Sequence, residues 1–398
     1  MRISIKKCFL IAYLIIMLLP AHFSNAFTGA CNNIFSLLAM IMLFRHKYRP
    51  NKFVRIVIYY YLFLLMMTLI SGTMTINIAI YNIKYIVFIA CIHMLYQMNP
   101  SSTLKTLFNV IFLFVFVDLM TILLYPNGLY TTVTEYSQWS SASVANWFFG
   151  NKNNRITWEL LMICLATICN SCGYIKKTLY CCIVLSCVVA VFMTKSSTSI
   201  VAIVITVIAV ILKKYQPQNI NINWKVFFAL YAGIAALVLV GNVGFLSPII
   251  YQLFGKDVTF TGRASTWVTV IKYIKEKPFF GWGIITSDQA IQMISKASAV
   301  NAHSQWLQVL FQGGIVGLLI FVTIISECFK KLNFAQKETQ FFLFGLLFSL
   351  LLVMIFEVEM GFTVLLILFL CCEYINISID GSRLHKGDFA VEYEKSSN

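Results

Sequence analysis

The sequence predicts an all-α fold: a polytopic membrane helical bundle of about twelve spans, with a large extracytoplasmic loop containing a surface helix. Three observations carry that expectation. Of 398 residues, 60% are hydrophobic and only 11% are charged, against about a quarter charged in a soluble domain. The apolar residues fall in runs able to cross a hydrocarbon layer about 30 Å thick. The cations, finally, concentrate in alternate connecting segments, on one side of the membrane.

The apolar runs lie at 8–24, 27–44, 56–71, 74–97, 104–124, 156–174, 178–194, 198–212, 226–242, 303–325, 340–356 and 359–377. Arg2, Lys6 and Lys7, the run to Leu19 and then Ser24-Asn25-Ala26 imitate a secretory signal, and are read as an uncleaved first span. With the N-terminus cytoplasmic and each run crossing once, twenty Lys and Arg fall inside and nine outside, while Lys84 lies within a span. That asymmetry follows the positive-inside rule. The net charge of +15 is therefore topology, and nucleic acid is excluded as a partner. Both termini are expected to be cytoplasmic in a multi-pass protein of the cell membrane.

The expected organisation is a bundle over 1–242 with an outer loop at 125–155, an extracytoplasmic loop over 243–302, three further spans over 303–377, and a cytoplasmic tail over 378–398. The twelve cysteines fall in or near spans, where they act as small packing residues. In the second loop, Trp267, Val270, Ile271 and Ile274 recur at helical intervals, with Lys272, Lys275 and Glu276 opposite. Pro278 and Gly281 end the pattern. Such a helix is expected to lie on the membrane surface, with Arg263 at its N-terminal end. His303 opens the following span.

Thr261-Gly262-Arg263-Ala264-Ser265-Thr266-Trp267, Lys277-Pro278-Phe279-Phe280-Gly281-Trp282-Gly283 and Asn301-Ala302-His303-Ser304-Gln305-Trp306-Leu307 occur in that order. A span punctuated by Gly313-Gly314 and Gly317 follows. Together they resemble the signature of the O-antigen ligase and polymerase family, closely over about 260–320 and elsewhere in hydropathy. Phe149-Gly150-Asn151-Lys152-Asn153-Asn154 is similar to a further family stretch. Two departures stand out. Lys195 occupies the place of an expected arginine at the outer end of a middle span, and Ser304 replaces an asparagine.

The resemblance implies a membrane glycosyltransferase, a Wzy-type polymerase acting on polyprenyl-diphosphate-linked oligosaccharide repeats at the outer face of a bacterial plasma membrane. Its product would be capsular, exo- or O-antigen polysaccharide. Its partners would be that lipid-linked donor, membrane lipid, a flippase and a chain-length regulator. Two alternatives accompany it: ligation of the glycan to a lipid core, and, from a different class, a lipid-linked oligosaccharide flippase. A flippase lines its path with polar residues. Here Lys84, Asp118 and Glu159 are almost the only charged residues within spans, which favours a surface site. The chain's Ile-, Lys- and Asn-rich character resembles capsule and exopolysaccharide members, and selects the polymerase.

A departing diphosphate calls for cations, and the fork of an arginine suits phosphate oxygens. Arg263 is the expected ligand, with Lys195 and Arg155 assisting. A neutral imidazole can accept or orient a hydroxyl proton, so His303 and Arg263 form the expected catalytic pair. Trp139, Trp147 and Trp282 are candidates to stack on sugar rings, and Glu357 and Glu359 to bind sugar hydroxyls. The outer carboxylates are scattered and form no DxD or HExxH pattern, so neither a metal nor another cofactor is expected.

Overall fold

The computed structural model describes residues 5–137, 140–212, 224–239, 263–294, 301–332 and 337–373. Each of the twelve apolar runs overlaps a helix within the described residues, and among those residues seven helices are long and apolar enough to cross a membrane. Asn25 and Thr28 cap one another at the start of α2 (Ala26–Arg45), which follows α1 (Ile5–Met17). Asn51 caps α3 (Lys52–Ile70), and Thr75 caps α4 (Ile76–Met98). Asn99 caps α5 (Pro100–Leu124), where Pro100 occupies a first-turn position that has no helical acceptor to lose.

The outer loop expected at 125–155 is a small antiparallel sheet, so the fold is not all-helical. Strand β1 (Tyr130–Ser137) pairs with β2 (Ser140–Trp147) in a register that places Tyr130 opposite Asn146. The two-residue β3 (Gly150–Asn151) then pairs with β2. Gly150 turns the chain with φ 95°, a conformation that favours glycine.

Burial separates the helices into a centre and a periphery. In α6 (Ile156–Ser171), all residues from Ile156 to Cys169 except Trp158 are buried. In α14 (Phe362–Glu373), Thr363 to Glu373 are buried throughout. A helix apolar on every face belongs at the middle of a bundle. By contrast α2 exposes Phe27, Ile34, Leu37, Leu38, Ile41 and Phe44. Around the centre lie α7 (Lys177–Thr194), α8 (Ser197–Leu212), α9 (Trp224–Leu239), α12 (Gln305–Leu332) and α13 (Lys337–Phe356). One end of the bundle is tied by Lys52 to Glu327 (2.7 Å), linking the start of α3 to the end of α12.

Two short helices complete the opposite end, α10 (Arg263–Glu276) and α11 (Ser287–Ile294). The apolar stripe of α10 was expected to face the membrane surface. Trp267 and Val270 instead pack against Ala302, Leu307 and Phe311 at the head of α12.

The head of α12 is set off by a break at Gly314 (φ 59°, ψ −159°). An unbroken helix would pair Phe311 with Ile315 and Gln312 with Val316. Here the Trp282 and Gly283 N–H groups donate to the Phe311 and Gln312 carbonyls at 2.8 and 2.9 Å. The Ile315 and Val316 N–H groups donate to Pro278 and Phe279 at 2.8 and 3.1 Å. Four bonds to the Lys277–Gly283 turn thus replace two within the helix. The approach is so close that a Cβ on Gly281 would lie 2.6 Å from the Phe311 oxygen, and one on Gly314 would overlap the Phe279 backbone.

Candidate functional site

His303 sits in a tight turn just before α12, half-buried, with φ 48°. Asn301 fixes that turn, its side-chain oxygen accepting the His303 N–H at 2.8 Å. Histidine tolerates this left-handed backbone better than most residues. Gln308 reaches back to accept the Ala302 N–H at 2.9 Å. Gln305 points the other way, its Oε1 accepting the N–H groups of Glu359 and Met360, both at 3.0 Å. The Gln305 N–H in turn donates to the Glu357 carbonyl at 3.1 Å.

These bonds hold the turn between α13 and α14 beside His303, and bring Glu357 and Glu359 to the same end of α12. Burial raises the Glu359 carboxyl well above its ordinary value, and the Glu357 charge adds to the rise. The neutral acid is thereby favoured, and a neutral carboxyl can donate a hydrogen bond as well as accept one. Trp267 stands one helical turn after Arg263, its ring 6.5 Å from that of Phe356, next to Glu357. The first turn of α10 therefore lies near the His303 turn. The Arg263 side chain lies outside the described residues, as does Trp139.

A second cluster surrounds Arg155, which is not a surface cation. It is 1% exposed, and its Nη2 donates to Asp118 of α5 and, at 3.0 Å, to Glu159 of α6. Trp147 lies over the guanidinium at 5.8 Å and donates its indole N–H to the Tyr125 carbonyl. Trp147 is 5% exposed, packed with Ile122 and Ala190. Trp282 also serves the fold: its indole donates to the Tyr273 carbonyl at 3.0 Å, and Lys277 Nζ sits 3.9 Å above its ring. The Trp147 indole is thereby packed into the fold, whereas Trp282 is half-buried.

Lys195 ends α7 with φ 54° and is exposed. For a residue other than glycine this backbone costs about 1–2 kcal/mol. Ser196 is buried and donates to Asn153 Oδ1 at 3.0 Å, joining the break between α7 and α8 to the turn that ends at Arg155. Thr363 of α14, which follows the Glu357–Met360 turn, donates to Thr157 of α6, two residues after Arg155, at 3.1 Å.

Sequence reasoning had picked out Arg155, Asp118 and Glu159 separately without joining them. A buried carboxylate needs a partner, and the four-residue spacing from Arg155 to Glu159 puts the two on one helical face. Gln305, Gln308 and Asn153 were passed over, because a polar amide gives no distinctive pattern until its backbone partner is known.

The O-antigen ligase family matches residues 182–322, the stretch that holds Lys195, Arg263, His303 and the Gly314 break. The chain is thus a multi-pass membrane protein with a region similar to O-antigen ligases. Over 251 residues it is 22% identical to the ComP-specific O-oligosaccharyltransferase of Acinetobacter baylyi (strain ATCC 33305 / BD413 / ADP1). That similarity covers 60% of this chain and 45% of the relative, so the chain spans about half the length of the curated relative it matches.

Proposed function

We infer that the protein is a membrane glycan transferase of the ligase type, moving an oligosaccharide from a polyprenyl diphosphate to a hydroxyl acceptor at the outer face of the membrane. The observation that carries this reading is the fixed turn at His303, held by Asn301, Gln308 and Gln305 beside Glu357 and Glu359, at the end of the bundle where α10 begins. The similar family is one of O-antigen ligases and the similar protein an O-oligosaccharyltransferase, and both favour this alternative over the repeat-unit polymerase.

In the reaction, the acceptor oxygen attacks the anomeric carbon and the bond from that carbon to the diphosphate oxygen breaks. The bonding electrons leave with the diphosphate, and His303 takes the acceptor proton. Arg263 and Lys195 hold the developing charge on the leaving group, where charge-assisted bonds gain strength away from bulk water. Glu357 and Glu359 orient acceptor hydroxyls. The cation asymmetry supports this end as the extracytoplasmic one, with both termini cytoplasmic and the inferred twelve crossings between.

The test replaces Arg263, His303 and Lys195 singly with Ala in the native host. It follows both glycan on the acceptor and glycan on the lipid carrier. We expect Arg263→Ala and His303→Ala to remove acceptor-linked glycan by at least about 100-fold, while carrier-linked chains keep their length. Loss of long carrier-linked chains with accumulation of single repeats would return the assignment to a polymerase. Unchanged products in both variants would end the enzymatic reading.

A further inference from the structure

Asp118 holds the turn over residues 150–155 at both of its ends. Its Oδ1 accepts the Phe149 N–H at 3.1 Å, and its Oδ2 accepts from the Arg155 guanidinium. Within the turn, Asn151 Oδ1 accepts the Asn153 N–H at 2.9 Å. The product of this folding is one presented group, the Asn153 side-chain oxygen, which accepts from Ser196 Oγ. Ser199 Oγ donates to Ser196 at 3.0 Å, so the hydroxyl between them is fixed from both sides. The next residue back is Lys195, exposed and held in a backbone conformation that few side chains adopt.

The ion cluster beneath is poorly built as a stability device. Arg155 donates to both carboxylates through the same nitrogen, while its Nε and Nη1 and the Glu159 Oε2 find no partner among the described residues. A buried set left partly unsatisfied is no better than an apolar one for stability, so holding a neighbouring group in place is its more natural use.

We propose that Asn153 and Ser196, carried by the buried Asp118–Arg155–Glu159 cluster, are positioning residues that set Lys195 against the diphosphate of the donor. The proposal rests on the reading of Lys195 as a diphosphate ligand. Arg155 itself is no phosphate ligand: its guanidinium faces Asp118 and Glu159, and its distal atoms are shut away from solvent. Lys195 is a flexible point charge, unlike the planar fork of arginine, so its backbone has to supply the orientation its head group lacks.

The experiment uses the full chain in detergent with geranylgeranyl diphosphate as the probe, comparing Kd for the parent with Asn153→Ala, Ser196→Ala, Lys195→Ala and Asn153→Ala/Lys195→Ala. Loss of one neutral hydrogen bond corresponds to about 3- to 10-fold in affinity. Asn153→Ala and Ser196→Ala should each weaken the probe by that amount, and Lys195→Ala by more. The double variant should bind no worse than Lys195→Ala, because positioning is worthless once the positioned group is gone. If Lys195→Ala leaves Kd unchanged, the diphosphate reading of Lys195 fails, and the proposal with it. If Lys195→Ala weakens binding while Asn153→Ala and Ser196→Ala do not, or if the effects of 153 and 195 multiply, positioning alone is overturned. Should Asn153→Ala not accumulate, Ser196→Ala and its double variant with Lys195→Ala decide the matter by the same criteria.

Discussion

At the scale of single residues, the acid at Glu359 has a consequence that can be measured. Its carboxyl is raised above the ordinary 4.5 by burial first and by Glu357 second. A group raised on folding contributes its full stability below the unfolded value and loses it as pH rises through the folded one. Glu359→Gln should thus leave the apparent thermal midpoint in detergent almost unchanged near pH 4 and raise it near pH 8. A variant that gains nothing at the alkaline end would show that the carboxylate is well solvated there. The same scale shows what sequence alone conveyed. His303 and Lys195 were marked by type and context. Their left-handed backbones were not, because neither residue advertises φ the way glycine does. Trp147 misled for the opposite reason: an indole beside an outer loop looks available for stacking, and only its burial against Ile122 and Ala190 shows it to be packed into the fold.

At the scale of elements, the glycines of the last long run carry the clearest lesson. Gly313, Gly314 and Gly317 are alike in the sequence, yet they do different work. Gly314 lies at φ 59°, where an added Cβ would overlap the Phe279 backbone, whereas Gly317 has a Cβ position 3.4 Å from Phe63. Gly314→Ala should lower unfolding stability by about 2–5 kcal/mol, combining backbone strain with overpacking. Gly317→Ala should change it by less than about 1.5 kcal/mol. Thermal unfolding of both, measured side by side, checks the difference; equal midpoints would mean the break is not maintained. The run of motifs announced itself in order, but the four bonds that join the turn at 278–283 to the break could not be read from spacing, since they link backbone groups that every residue has. The sheet over 130–151 was missed for a related cause. Its strands alternate little in hydropathy, and pairing is decided by a partner strand rather than by local period.

For the whole molecule, each apolar run located a helix to within several residues, because length and hydropathy are properties of each segment alone. Their arrangement around α6 and α14 was not legible, since a run apolar on all faces does not say which neighbours cover it. The sidedness proposed from the charge asymmetry can be tested directly. A membrane-impermeant thiol reagent applied to intact cells should label Asn154→Cys and Lys275→Cys above the background of the parent chain. Arg49→Cys should become reactive only after the membrane is opened. The reverse pattern would invert the topology and place the candidate site on the cytoplasmic side.

The interruption of α12 reaches further than its own two residues. Above it, nine residues from Gln305 to Gly313 are bound to the outer tier through the Glu357–Met360 turn and α10; below it, the helix runs to a tie at the far end of the bundle through Glu327. Two bonds from above the break and two from below end on the one turn at 278–283, so the seam acts as a splint that refers both halves of the interrupted helix to that turn.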